Sequence, residues 1–265
     1  SAAQSNTLIL IDGQRLSPID TSSIAWESVS IDSIDRIEII HGGGSVQYGD
    51  GAVGGVVNLI TKKSDQNNYF VSLGSFGTAS TSYTYSKFNE ESGSLVGANF
   101  NLSSSDGWRE NSQSDFGNLE LKFTKKLDSD SKIYLAGNYF ASSYGMPGGV
   151  LGQVGSGDMR AAKFNNRGDK YNLNGTRFIV GGATRLSSST LLDIDFSAIN
   201  SDTRFYTAYR DNQQMRDWGY SSQIDYKKHQ YSFSPKLKTD LDAFGELTYG
   251  VDYRESSGSS IFNNG

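Results

Sequence analysis

The chain has 265 residues and carries 24 Lys and Arg against 29 Asp and Glu, a net charge of −5. A mildly acidic chain lacks the basic face that general nucleic-acid binding requires. It contains no Cys, which excludes a disulfide scaffold, a Cys-ligated zinc site and a thiol enzyme. The two His, His41 and His229, lie far apart in sequence, which argues against a His-rich metal centre. No apolar run approaches the roughly 18 residues of a transmembrane helix. Residues 1–6 show no basic-then-apolar leader pattern.

The composition changes along the chain. Of 15 Tyr, 14 Phe and 3 Trp, two aromatics, Trp26 and Tyr48, fall in residues 1–63. The rest fall in 64–265, so the two parts are built on different principles. The first part reads as a compact α/β piece. Leu8-Ile9-Leu10-Ile11 is a strand-like apolar run stopped by the turn pair Asp12-Gly13. Residues 31–36 read as a short helical turn or loop, and 36–40 as a strand. A glycine-dense stretch spans 42–55, and Val56 to Thr61 is a last strand closed by Lys62-Lys63.

The second part alternates. Leu119, Leu121 and Phe123 oppose Asn118, Glu120 and Lys122, and Leu192, Ile194 and Phe196 oppose Asp193, Asp195 and Ser197. Period 2 with one apolar face predicts strands with one greasy and one wet side. Segments of about ten such residues, rich in aromatics, are the signature of a transmembrane β-barrel. Short polar links at 89–94, 126–131 and 185–189 alternate with longer stretches at 103–115, 141–170 and 201–217, as in outer-membrane barrels. The pattern predicts about nine or ten strands. At 227–230 the apolar phase slips from even positions (Ile224, Tyr226) to odd ones (Tyr231, Phe233), which predicts either a tight turn or a bulge in one long strand.

The chemistry-bearing motifs are sparse. Gly49 to Gly54 fits G-x-G-x-x-G, but a β-branched run follows it where a dinucleotide site needs a helix. Glycines in a tightly wound loop account for it. Carboxylates such as Asp193 and Asp195 suit a wet barrel lumen better than paired acid–base chemistry. No nucleophile elbow occurs, no catalytic constellation is found, and no enzyme activity, cofactor or metal is expected. Trp108-Arg109, Tyr144 to Pro147 and the run from Thr203 to Trp218 concentrate Arg and aromatics, types favoured at recognition surfaces, in the longer connections.

Four blocks in order, Leu8 to Gly13, Ile34 to Ile40, Ser45 to Gly49 and Gly54 to Lys63, resemble the plug domain of TonB-dependent outer-membrane receptors. Asp12, Gly13, Arg36, Glu38, His41, Gly42, Tyr48, Gly49, Gly54, Gly55 and Asn58 are the positions that carry the plug motif. The resemblance implies a mostly β protein: the C-terminal half of an α/β plug domain in 1–63, then antiparallel strands of the N-terminal part of a transmembrane β-barrel in 64–265. The family barrel has 22 strands, so the remaining strands would follow residue 265, and the TonB box and first half of the plug would precede residue 1.

The resemblance also implies function. Such receptors sit in the outer membrane of Gram-negative bacteria and bind a scarce nutrient: a ferric siderophore, haem, cobalamin or a glycan. TonB, with ExbB and ExbD, drives its import through the missing N-terminal segment. Arg beside aromatics suits an anionic, ring-bearing iron chelate; a passive porin or adhesin barrel is the reading of another class. By family position, Pro18, Asp20, Thr21 and Trp26 lie on an apical plug loop that faces the ligand. Trp108, Arg109, Tyr144, Met146, Arg204, Tyr206 and Tyr209 are the candidate ligand-facing residues of the outer connections. Where the family usually has an Arg after the third block, expected to pair with barrel carboxylates, this chain has His41, only partly charged near neutral pH.

Overall fold

A computed structural model describes residues 7–17, 24–42, 51–62, 65–148, 160, 168–208 and 221–264. Two sheets account for nearly all of them. The first has four strands, β1 (Thr7–Ile11), β2 (Gln14–Arg15), β3 (Ile34–His41) and β4 (Gly55–Thr61), in the order β2-β1-β4-β3. β1 runs parallel to β4 and antiparallel to β2; β3 runs antiparallel to β4.

The apolar run in β1 is continuous because both of its faces are covered. Leu8 and Leu10 pack with Ala52 and Val56, while Ile9 packs on the opposite side with Leu16 and Ile24. Asp12 and Gly13 form the two-residue link to β2 with φ of 49° and 85°, the left-handed pair that such a hairpin demands. The Asp12 carboxylate accepts hydrogen bonds from the amide (2.9 Å) and hydroxyl of Thr61, so the turn also fixes the end of β4. Helical structure in this part consists of two 3-10 turns, Trp26–Ser28 and Ile31–Ser33.

The second sheet is antiparallel throughout and follows chain order: β5 (Gln66–Leu73), β6 (Ala79–Asn89), β7 (Ser94–Ser105), β8 (Ser114–Lys126), β9 (Lys132–Gly145), β10 (Lys170–Arg185), β11 (Thr190–Ala208) and β12 (Ser221–Asp240). β13 (Glu246–Gly250) and β14 (Tyr253–Asn264) both pair with the far edge of β12. Their register is shared: Lys236 faces Gly250 and Phe233 faces Tyr253. Ten strand segments thus fill nine positions. The break at 251–252 lies opposite Pro235, which accepts from the Val251 amide but has no N–H to return.

Neither irregularity expected at 227–230 is present. β12 pairs with β11 in one register from Ser221 to Thr239, with no turn or bulge. The phase slips because the apolar residues change face. Ile224 and Tyr226 share the face of buried Ser222, Lys228 and Ser234, whereas Tyr231 and Phe233 occupy the other.

The faces of this sheet invert the usual arrangement. Asn99, Asn118, Glu120, Asn138 and Arg177 are buried against the first sheet, while Leu119, Leu121 and Phe123 are 42%, 53% and 39% exposed. Connections 90–93, 127–131, 186–189 and 241–245 lie at one end. Connections 74–78, 106–113, 146–169 and 209–220 lie at the other. The strands also run further toward the second end than alternation predicts: β9 continues to Gly145 and β11 to Ala208.

Candidate functional site

The site lies where the 3-10 turn Trp26–Ser28 meets the inner face of β8, β9 and β10, toward the end with the long connections. The ladder register sets residues of adjacent strands side by side. Tyr144 of β9 faces Tyr171 of β10, which faces Phe205 of β11, which faces Ile224 of β12 and then Phe262 of β14. Tyr144 and Tyr171 stack with ring centroids 4.6 Å apart, and Phe205 meets Tyr171 edge-on at 4.8 Å. Both geometries are favoured by the ring quadrupole. A short aromatic ladder therefore lines the inner wall. Glu27 lies close enough to act electrostatically on both tyrosines, and Trp26 is 48% exposed.

Below the ladder the wall is polar. Asn118 Nδ2 donates to Glu27 O at 2.7 Å, and Arg177 Nη2 donates to Ser28 O at 3.4 Å. Arg177 is paired with Glu120 at 3.5 Å, both side chains almost wholly buried. Further contacts join the two sheets: Asn101 Nδ2 to Asp32 Oδ2 at 3.2 Å, Gln14 Nε2 to the Tyr134 hydroxyl at 3.4 Å, and Lys122 Nζ to the Thr61 hydroxyl. Among the described residues, no group of three or more His, Asp or Glu side chains is placed to hold a metal ion.

The expected ligand-facing residues divide. Trp26 and Tyr144 meet at the site. Trp108, Arg109 and Met146 brace the long connections instead. Arg109 Nη1 donates to Gly148 O at 2.7 Å, Arg160 Nε to Trp108 O at 3.2 Å, and the Met146 amide to Asp169 O at 3.0 Å. Arg204 and Tyr206 are corrected: strand parity turns both to the outer face, where Arg204 pairs with Asp225 at 2.6 Å, and Phe205 takes the inner position. Pro18, Asp20, Thr21 and Tyr209 lie outside the described residues.

Of the plug motif, Asp12 and Gly13 form the turn described, and the Gly13 amide donates to Asn58 Oδ1 at 3.0 Å. Arg36 pairs with Glu38 at 2.8 Å and with Asp35 at 3.1 Å on an exposed face. His41 closes β3, exposed, with Gly42 behind it; Gly54 leads into Gly55, the first residue of β4. Tyr48 and Gly49 lie outside the described residues. Sequence reading missed Tyr171, Arg177 and Glu120. Tyr171 and Arg177 share strand parity with Leu173, Gly175 and Ile179, so no polar-versus-apolar alternation marks that face of β10.

Comparisons with known proteins agree with this architecture. Residues 1–56 match the family model described as the TonB-dependent Receptor Plug Domain. A ferric enterobactin receptor of Pseudomonas aeruginosa is 41% identical over 68 residues, 22% of this chain and 9% of its own length. A vitamin B12 transporter of Vibrio cholerae is 37% identical over 68 residues, 25% of this chain and 11% of its own length. The unliganded ferric citrate transporter FecA superposes over 98% of this chain with a TM-score of 0.77 at 18% identity. The ferripyoverdine receptor of P. aeruginosa covers 96% with a TM-score of 0.69 at 12% identity. At such identities the structural likeness speaks for the fold. The chain spans 40% and 36% of those two structures. The ordered plug blocks, the matching model and relatives, and the shared fold of four plug strands against an inside-out antiparallel sheet identify the chain as belonging to the TonB-dependent receptors.

Proposed function

We propose that the chain is the ligand-gathering portion of an outer-membrane importer. Residues 1–63 serve as the plug and 64–265 as barrel wall, and TonB, ExbB and ExbD supply the energy. The observation that carries the reading is the inverted sheet: polar side chains grip the plug on one face, and an apolar band covers the other. From the row of Leu192 and Leu237 to that of Ala198 and Tyr231 the outer face stays mostly apolar. Spanning six residues each way, that band is about 20 Å along the strand, and the apolar flank at Leu127 and Leu186 brings it close to the roughly 25 Å expected of an outer-membrane barrel. A porin-like passive barrel does not account for a plug turn held against the wall.

The ligand in this reading is a ring-bearing metal chelate, a ferric siderophore of the catecholate kind. The stacked Tyr144, Tyr171 and Phe205 support it, as do relatives named as ferric enterobactin and ferric aerobactin receptors. Arg109 and Arg204 support it less than expected, because the first is bonded within the loops and the second faces outward. Cobalamin is the second reading, favoured by the relatives named as vitamin B12 transporters. Cells carrying the gene, with other iron and cobalamin receptors deleted, decide between them. The proposal expects uptake of labelled ferric enterobactin that disappears when TonB is deleted. Rescue of cobalamin-limited growth with no iron-chelate uptake would overturn it.

A further inference from the structure

A 3-10 turn of three residues leaves its last carbonyls without partners of its own. In Trp26–Ser28, the Ala25 carbonyl accepts from the Ser28 amide and hydroxyl, and the Trp26 carbonyl from the Val29 amide. The next two carbonyls, Glu27 and Ser28, point at the wall and are taken by Asn118 and Arg177. Both donors are themselves held in place. Asn138 Nδ2 donates to Asn118 Oδ1 at 3.1 Å and to Leu119 O at 3.2 Å. Glu120, Asn138 and Arg177 sit side by side on β8, β9 and β10, so the carboxylate and guanidinium close around the asparagine.

Arg177 is 5% exposed, and its Nη1 is buried without a hydrogen-bond partner. A desolvated guanidinium is costly unless paired, and Glu120 supplies the pairing charge. Asp12 from the first sheet and Lys122 from β8 are the other charges that act on the pair. A buried arginine whose contact with the first sheet is a backbone carbonyl is indifferent to the side chains of the turn. It therefore fixes where the turn sits and leaves Trp26 and Glu27 to differ with the ligand.

We propose that Arg177, held by Glu120, is a positioning residue that sets the height of the Trp26–Ser28 turn beneath the aromatic ladder. This deepens the reading of the turn as part of the ligand floor, but its test needs no ligand. Trp26 is made the sole tryptophan by Trp108→Phe and Trp218→Phe in the full receptor, reconstituted in phosphatidylethanolamine–phosphatidylglycerol vesicles, and acrylamide quenching is measured. The double variant Arg177→Met/Glu120→Gln leaves no orphaned buried charge. It is expected to raise Trp26 quenching about two-fold, by releasing a local unit without melting the sheet. Arg177→Lys, which keeps one charged donor, is expected to fall between wild type and the double variant. A fluorophore on Asp35→Cys, elsewhere in the first sheet, is expected to report no change.

Unchanged Trp26 quenching in the double variant would overturn the proposal. So would an equal change at residue 35, which would mean that the whole plug had loosened, or an Arg177→Lys result indistinguishable from the double variant. Loss of iron-chelate uptake with unchanged quenching would count against the positioning role alone, and the reverse result against the transport reading alone.

Discussion

Residues 7–61 and 66–264 bury opposite chemistry. The first sheet hides Leu8, Leu10, Ala52 and Val56 on one side of β1 and Ile9, Leu16 and Ile24 on the other, as a water-soluble domain does. The second hides Asn99, Asn118, Asn138, Glu120 and Arg177 and leaves its leucines and phenylalanines outside. The strands are alike in period; they differ in what surrounds them. One sheet makes its own apolar interior, whereas the other takes the first sheet as its polar interior and requires an apolar exterior from elsewhere. A buried asparagine is thus a defect in one sheet and a structural contact in the other.

That contrast can be broken from either side, and the largest effects belong to the apolar residues. Leu10→Ala removes a side chain that is 2% exposed and is expected to cost about 2–5 kcal/mol. Hydrogen exchange should show the loss confined to the first sheet. Leu121→Arg, outward near the middle of β8, is expected to cost about 2–4 kcal/mol of membrane-inserted stability, read by urea titration in vesicles. In a water-exposed sheet the same change would be nearly silent, so this variant separates the two solvents.

Close packing on the inner face gives the next effect. A Cβ on Gly175 would lie 2.4 Å from Phe140 Cζ and 2.5 Å from Asn200 O, with Phe140 fully buried. Gly175→Val is expected to destabilise by about 1–3 kcal/mol through overpacking, seen as a lower denaturation midpoint. Tyr171→Leu keeps apolar bulk but removes both ring contacts. It should weaken binding of ferric enterobactin by about 0.5–1.5 kcal/mol, measured by fluorescence titration, with the sheet's stability little changed.

The smallest effect lies in the turn 127–131. The Asp128 carboxylate is held below its usual range by the Asp130 and Ser131 amides, and that of Asp130 by the Arg185 guanidinium. Both carboxyls titrate lower folded than unfolded. Their contribution is therefore present above the ordinary carboxylate value near 3.8 and is lost as the pH falls through the depressed folded values. Both are fully exposed, so Asp130→Asn should flatten the acid limb of the stability curve only slightly.

Much of this was legible in the residues. The hairpin at Asp12-Gly13, the strand at 55–61 and the alternation at 118–123 each follow from local rules. Strand ends were not legible: above the apolar band β11 is polar on both faces from Asn200 to Asp202, so no alternation reports that it continues. The site was harder because it depends on parity and distance. One residue separates the inward Phe205 from the outward Arg204, and the apolar slip in β12 concealed that Ile224 belongs to the same inner row. Glu120 and Arg177 meet only because two intervening turns bring β8 and β10 to either side of β9, which no local pattern states.

The most direct test of the inverted sheet is a nitroxide scan along β8, from residue 118 to 123, of the full receptor in phosphatidylethanolamine–phosphatidylglycerol vesicles. Labels at 119, 121 and 123 should collide readily with oxygen dissolved in lipid, and labels at 118, 120 and 122 should be shielded from it. The opposite alternation, or equal exposure of all six positions to a water-soluble relaxant, would contradict the account.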